Sequence, residues 1–443
     1  MAATARSGGR RRRQRGRGRA ALAAAGGGQR VVVTGIGVAS PFGQDKEEFY
    51  ARLCAGTSAV KRITKFDPEG LVTQIAAQID DFSVGGFIDA KNARRMDDVV
   101  KYTIVSGNQA LVDAGLGRES DGFAALDKER CGILIGSAMG GSSLQTSMDN
   151  MDKLFQGKKL SPFFVPYTLV NVPGGLLSID VGFTGPNYAV VTACATGNYC
   201  ISAAAGHIQR GECDLILAGG AEAAVTRAGI AGFNACKALS SRNDEPERAS
   251  RPWDKGRDGF VMGEGAGVLC LESLEHAQAR GAEIYAEYAG GAYTSDAHHM
   301  TEPHPQGAGV SRCIQSALAN AGVEAGEVGY MNCHGTSTPA GDMAEVRAIK
   351  RALGSTDRLV VNSTKSMVGH CLGAAAGIEA VVCVQALRHR RVHPTLNLED
   401  REDGFDLNAP TEALEIPDLK VAANNSFGFG GHNSCVIFKR WEE

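Results

Sequence analysis

The sequence has no CxxC pair, although it carries 12 cysteines over 443 residues. That absence removes the usual frame for structural zinc, and the loose spacing is unlike a disulfide scaffold. Scattered thiols of this kind fit a reducing compartment. No run approaches the roughly 18 apolar residues that a membrane span needs. Neither sign of charge dominates: 46 Lys and Arg face 49 Asp and Glu, a net charge of -3. The chain as a whole therefore has no electrostatic footprint for nucleic acid or an anionic membrane. A full GxGxxG is also missing, since "GIGVAS" and "GEGAG" both break the spacing of a dinucleotide fingerprint. "DAHHMTEPHP" offers His298, His299 and His304 but lacks a tetrahedral ligand set, so no metal site is expected there.

Acids are missing from the start of the chain, where the first is Asp45. An Arg- and Ala-rich opening without acids reads as an organelle-targeting segment over residues 1–29. It departs from the usual pattern in holding only one serine, Ser7. The rival reading of "RRRRQRGRGR" is an RNA-binding arm, against which stands the lack of aromatic residues beside it.

What is present is a soluble, globular composition, 43% hydrophobic and 21% charged, with 57 glycines that imply many tight turns. "RVVVTGIGVAS", "RCGILIGSAMGG", "DLILAGGAEAAV" and "GVLCLESL" read as buried strands. "DKEEFYARLCAG" and "DDVVKYTIVSGNQALVDAGL" read as helices, and the alternation calls for an α/β architecture. One plan occurs twice. "NYAVVTACATGNYCISAAAGHIQ" and "RLVVNSTKSMVGHCLGAAAGIEAVV" each run strand, polar turn, small-residue helix, as expected of two related halves whose equivalent loops meet.

Chemistry concentrates in four stretches. Cys194 follows a strand-like stretch, 188–191, and precedes a helix of small residues. A cysteine at such a turn meets backbone N–H groups that can lower its pKa and hold an oxyanion. Cys200, two turns on, reads as core. "NCHGTSTPAGDMAE" sets His334 beside Thr336 and Thr338, hydroxyls suited to a polar ligand arm. Its acids, Asp342 and Glu345, can orient an imidazole or a backbone turn. In "NSTKSMVGHCLGAAAGIE", Lys365 and His370 flank the turn into the second helix, and Glu379 is a partner for the lysine if both are buried. "NNSFGFGGHN" is a glycine-rich loop with two apolar plugs, Phe427 and Phe429, able to gate a hydrophobic channel.

Together "TACATGN", "HGTSTPAGD", "TKSMVGHCLGAAAG" and "NSFGFGGHN" resemble the signature motifs of the β-ketoacyl-acyl carrier protein synthases, condensing enzymes of the thiolase superfamily, closest to the plastid-type I/II group. "SRPWDKGRDGFVMGEGAGVL" belongs to the same resemblance. The resemblance implies a thiolase-like fold of two related α/β halves layered α-β-α-β-α, divided here as 30–290 and 291–443. It implies decarboxylative condensation of an acyl thioester held on Cys194 with malonyl-acyl carrier protein, with no metal or organic cofactor. In that scheme His334 and His370 drive decarboxylation and hold the enolate, and Lys365 pairs with Glu379. Thr336 and Thr338 contact the carrier's pantetheine arm, Phe429 gates beside Phe427, and the backbone N–H groups of Cys194 and Phe429 form the oxyanion hole. His370 in the third motif sets the chain apart from coenzyme-A-primed relatives with Cys-His-Asn. His432 stands where threonine is common in the family. A homodimer, an acyl carrier protein partner and a plastid location also follow from the resemblance, with mitochondrion and cytoplasm as the alternative locations. A polyketide-type ketosynthase or another thiolase-fold acyltransferase is the nearest rival reading. More distant ones are a Cys-His hydrolase and a non-catalytic RNA-binding protein.

Overall fold

Runs of Val, Ile and Leu build the frame, because strands buried on both faces need apolar residues at every position. In the computed structural model, which describes residues 28–141 and 143–442, nine strands form one mixed sheet. They are β1 (Val31–Ala39), β2 (Cys131–Gly136), β3 (Leu215–Glu222), β4 (Gly265–Ser273), β5 (Ala286–Ser295), β6 (Tyr330–Asn332), β7 (Val360–Asn362), β8 (Val421–Gly428) and β9 (His432–Arg440). Their order is β2-β3-β4-β1-β5-β9-β8-β6-β7. The targeting-like segment lies outside the described residues.

The sheet is two repeats joined at a short seam, where Val31–Val33 of β1 pair antiparallel with Ala286–Tyr288 of β5. Outward from the seam, β1-β4-β3-β2 runs antiparallel, antiparallel, parallel. β5-β9-β8-β6 repeats that sequence, and β7 adds a further parallel strand. The matching fifth strand of the first repeat, expected at 188–191, is reduced to one parallel bridge between Asn187 and Ile133. This stretch lies at the sheet edge with Tyr188 and Val191 exposed, so no second neighbour holds it in a ladder. β5 runs across the boundary drawn at residues 290 and 291.

Alternation of side chains assigns the layers. Leu215 and Leu217 of β3 pack outward with Val105 of helix α1 (Asp98–Asp113) and Leu177 of α2 (Val172–Val181). Ile216 and Ala218 point the other way, to α3 (Thr196–Gln209). In the second repeat Cys435 and Ile437 of β9 face α4 (Ala308–Ala321) and α5 (Gly341–Leu353). Val436 and Phe438 share the central cluster with α3 and α6 (Ala375–His389). Two outer clusters and one central cluster, which covers both faces of the helix pair, thus fill the four interfaces of five layers, α-β-α-β-α. The central helices touch both sheet halves, and every residue from Ala375 to Leu387 is buried. Their contact is so close that a Cβ on Gly197 would stand 2.3 Å from the backbone N of Gly377.

Candidate active site

The two central helices start from the same device. Residues Ala193–Ala195 and Leu372–Ala374 each form a single 3₁₀ turn, and the first residue of each is left-handed, φ 49° at Ala193 and 48° at Leu372. Side-chain-bearing residues hold that conformation only where their surroundings over-determine it. At the first turn Thr192 N–H donates to Thr196 Oγ1 at 2.9 Å, and the Ser426 hydroxyl donates to the Cys194 carbonyl at 3.0 Å. Cys194 is the middle residue and projects into a cavity. The backbone N–H of Phe429 donates to its thiol. Gly428 permits this approach, since a Cβ there would lie 2.7 Å from Cys194 N. Cys200 is core, with no exposed surface.

One expectation at this turn is reversed. Burial pushes the Cys194 thiol up to about 12, outweighing the nearby Lys365 charge and the Phe429 N–H that pull it down. The resting nucleophile is therefore a neutral thiol that needs a base.

Both histidines face it. His370 Nε2 lies 3.0 Å from Cys194 Sγ, and its ring stands perpendicular to that of His334 with centroids 5.3 Å apart. One ligating nitrogen from each ring and the sulfur all fall within 4.8 Å of one another. Among the described residues this is the group of metal-capable side chains gathered at one point, whereas His298 and His304 approach ring to ring in a surface loop. Burial, then the Lys365 charge, holds both imidazoles well below the usual histidine value, and the two rings also repel each other's charge at His334. Both are neutral at pH 7.

Their hydrogen bonds set different tautomers. The N–H of Leu372 donates to His370 Nδ1 at 3.3 Å, so the proton of the neutral ring sits on Nε2 and points at the sulfur. Ser426 has spent its one proton on the Cys194 carbonyl and so accepts from His334 Nδ1 at 3.3 Å. Nε2 of His334 then carries a lone pair. The site holds one donor and one acceptor rather than two equal donors.

Below the histidines, Lys365 and Glu379 form a close ion pair, 1% and 2% exposed, so the charges are fully desolvated and depend on each other. Burial pushes Glu379 up to about 7 even against the lysine. Glu345 accepts from the backbone N–H of His334 at 2.7 Å and of Gly335 at 2.8 Å, and Asp342 accepts from Trp253 N–H at 2.9 Å. Both acids hold backbone turns and neither touches an imidazole nitrogen. Sequence reasoning missed Glu222, which does for the first repeat what Glu345 does for the second. Its carboxylate accepts from the N–H groups of Ala138 and Met139, and also from Gly373 beside His370. An acid at the end of an otherwise apolar strand was the available signal. Ser426 was also missed, although it lies inside the glycine-phenylalanine motif.

Cys194, both histidines, Thr336, Thr338, Phe427 and Phe429 line one cavity of about 640 Å³. The hydroxyls of Thr336 and Thr338 meet at 2.9 Å. Phe427 is buried and packs on His334 at 4.3 Å between centroids, while Phe429 is half-buried and stands 6.3 Å from Phe233. Phe233 and Phe260, the latter 5.1 Å from His370, add aromatic wall that lies outside the four signature motifs.

Residues 28–277 match the model of the β-ketoacyl synthase N-terminal domain, and residues 285–399 that of the C-terminal domain. The chain is 53% identical over 412 residues to 3-oxoacyl-[acyl-carrier-protein] synthase I, chloroplastic, of Hordeum vulgare, covering 93% of this chain and 89% of the relative. It is 50% identical over 416 residues to 3-oxoacyl-[acyl-carrier-protein] synthase II, chloroplastic, of Arabidopsis thaliana, covering 93% and 75%. Among solved structures, a type II polyketide-synthase ketosynthase in complex with its acyl carrier protein superposes with a TM-score of 0.84 at 31% identity, covering 94% of this chain and all of that one.

Proposed function

We propose, from the premise that this chain belongs to the β-ketoacyl synthase family, that it is a 3-oxoacyl-acyl carrier protein synthase of fatty-acid elongation. The observation that carries the reading is Cys194 Sγ set 3.0 Å from His370 Nε2 beside a second neutral imidazole, at the floor of an aromatic cavity. In acylation the sulfur attacks the acyl thioester carbonyl, and the thiol proton passes to the free Nε2 of His334. The carrier's thiolate leaves and takes up that proton, and the acyl group stays on Cys194. The oxyanion formed on the way accepts from the N–H groups of Cys194 and Phe429.

A malonyl thioester then replaces the spent carrier. Its carboxylate leaves as CO2, and the bonding pair flows into an enolate whose oxygen accepts from the Nε2–H of His370. The opposite rotamer of the Ser426 hydroxyl would hold His334 as a second Nε2–H donor, so that hydroxyl selects the role of His334 in each half-reaction. The enolate carbon attacks the acyl carbonyl, the C–S bond breaks, and the Cys194 thiolate released takes up a proton from solvent. Lys365 keeps both imidazoles neutral, and Glu379 balances its charge. The hydroxyls of Thr336 and Thr338 take the pantetheine arm, and Phe429 gates the apolar channel behind Phe427.

The acyl carrier protein is the macromolecular partner in this reading, supported by the carrier complex of the related ketosynthase. A homodimer is supported by the uncovered edge at 187–191 and by exposed Met148, Met151 and Phe155 nearby in sequence. Division near residue 290 into a half bearing the nucleophile and a half bearing both histidines and the lysine fits the two repeats. A plastid location is supported by the chloroplastic relatives. The higher identity to fatty-acid enzymes than to the polyketide ketosynthase favours the former substrate class.

Mass spectrometry after incubation with acyl-carriers of graded length tests the reading. Cys194 gains the acyl mass, and adding malonyl-carrier releases CO2 and the 3-ketoacyl thioester. Free acid as the sole product would instead make the protein a hydrolase.

A further inference from the structure

The segment "SRPWDKGRDGF", 250–260, reaches the cavity wall at its last residues, 258–260, and the rest of it packs against the loop that carries Thr336 and Thr338. Between those threonines Ser337 is left-handed, φ 67°, and fully buried. That kink turns the side chains of residues 336 and 338 toward each other, whereas an extended strand would send both to one face without bringing them into contact. Whichever hydroxyl donates to the other, the pair that results keeps one proton to donate and an oxygen free to accept. Gly341 N–H donates to Thr338 Oγ1 at 3.2 Å, and the two hydroxyls share one hydrogen bond at 2.9 Å. With Thr336 as its donor, Thr338 has both lone pairs filled and only its proton to offer, while Thr336 oxygen remains free to accept. One donor beside one acceptor matches a secondary amide.

The kink is held from outside. Arg251 N–H donates to Ser337 Oγ at 3.0 Å, and Gly259 N–H to the Ser337 carbonyl at 3.1 Å. The Arg257 side chain, 4% exposed, spans the next two carbonyls: Nε donates to Thr338 O at 3.1 Å and Nη2 to Pro339 O at 3.2 Å. Its remaining nitrogen reaches Asp254 O at 2.8 Å and Glu402 at 2.9 Å, and buried Asp342 lies 3.4 Å from Nε. Strained backbone that persists beside a ligand site is maintained by such over-determination. The fork geometry is specific to a guanidinium, because four acceptors (Thr338 O, Pro339 O, Asp254 O and Glu402) are met from three separate nitrogens, whereas an ammonium has three donors on one atom.

We propose that Arg257, acting with Ser337, is a positioning residue for the amide-bearing arm of the thioester substrate, setting the Thr336–Thr338 hydroxyl pair without touching substrate or the reacting atoms. The proposal rests on the synthase reading above. The test compares two acyl donors on the full chain, an acyl-pantetheine and the S-methyl thioester of the same acyl group, with acylation of Cys194 followed by mass. Arg257→Lys keeps the charge facing Asp342 and Glu402 but loses the fork. It should slow acylation by acyl-pantetheine about tenfold, through KM, while the S-methyl thioester and iodoacetamide react within about twofold of wild type. Ser337→Ala, which deletes only the Oγ acceptor, should show the same selectivity at about threefold, and it carries the test alone if Arg257→Lys does not fold. Equal loss with both donors would make the brace a general support of the fold and overturn the proposal. Unchanged reaction with acyl-pantetheine would overturn it as well. A wild-type protein that neither donor acylates would overturn the synthase reading itself, and the proposal with it.

Discussion

The turn at Cys194 and the turn at Gly373 share a backbone and differ in use. Each is one 3₁₀ turn opened by a left-handed residue, Ala193 or Leu372, and followed by a central helix of small residues. In the first, the second residue is cysteine, whose side chain enters the cavity. In the second it is glycine, whose N–H donates to Glu222 at 2.9 Å and whose missing side chain leaves room for the neighbouring backbone. A Cβ there would come within 2.3 Å of Ala138 N. One repeat thus spends the turn on a nucleophile, and the other spends it on fixing His370 two residues earlier. The repeated backbone turn frames the pocket from both sides, and the residue at its second position decides what each repeat does there.

Equivalent substitutions should therefore have opposite consequences, and these are the largest effects expected. Cys194→Ala removes only a sulfur at the cavity wall, so acyl transfer should fall by at least about 10⁴-fold with the melting temperature little changed. Wild-type acylation in that variant, measured by mass, would remove Cys194 from the reaction. Gly373→Ala should do the reverse, costing about 3 kcal/mol of stability in urea unfolding because rigid backbone stands in the way of the new methyl group. A Gly373→Ala protein as stable as wild type would show that the second turn is not packed as described.

Sequence pattern reached much of this arrangement, and its failures have physical causes. The four loops were legible because strand-ending polar turns stand out against apolar runs, and Cys194, His334, Lys365 and His370 all meet where those turns converge. The left-handed residues at Ala193 and Leu372 were not, since neither is the glycine that signals such a backbone. Residues 188–191 have the composition of a strand but lie at an uncovered edge, and pairing rather than composition makes a strand. The thiol was expected to be acidified by its helix. Its enclosure in the folded chain, which no local pattern encodes, decides the opposite even though the Phe429 N–H pulls the other way. The unlike tautomers of the histidines depend on Ser426 and the Leu372 N–H, contacts no spacing rule encodes.

The two repeats also differ in acid response, because both active-site imidazoles belong to the second. Each is held well below 6.5 in the folded protein, so it stays neutral while an unfolded chain takes up a proton below that value. The unfolded state then binds more protons, and stability falls as pH drops through 6.5; a pH unit or more above that value the two residues contribute almost nothing to the slope. Between pH 6.5 and 5.5 the loss is about 1 kcal/mol for each histidine. Urea unfolding of wild type and of a His334→Ala, His370→Ala double variant should differ by about 2 kcal/mol in that change. His393, held at about 4, contributes equally to both proteins. Parallel pH profiles would mean that the imidazoles are not desolvated.

The smallest effect separates strain from packing at the two left-handed residues. Glycine adopts φ near 49° without the Cβ penalty, so Ala193→Gly should relieve about 1 kcal/mol and lose almost no buried surface. Leu372→Gly relieves the same strain, yet it deletes a side chain that is 2% exposed and packed with Met262 and Leu239. That loss is worth about 3 kcal/mol, so the second variant should be clearly less stable than wild type while the first equals or exceeds it. The relieved turn has a further consequence for function. If the strain at Ala193 serves to aim the thiol, Ala193→Gly should acylate more slowly at unchanged or higher stability, because a glycine at that position no longer confines Cys194 Sγ to the 3.0 Å approach of His370. Faster or equal acylation would instead assign the left-handed residue to chain reversal alone.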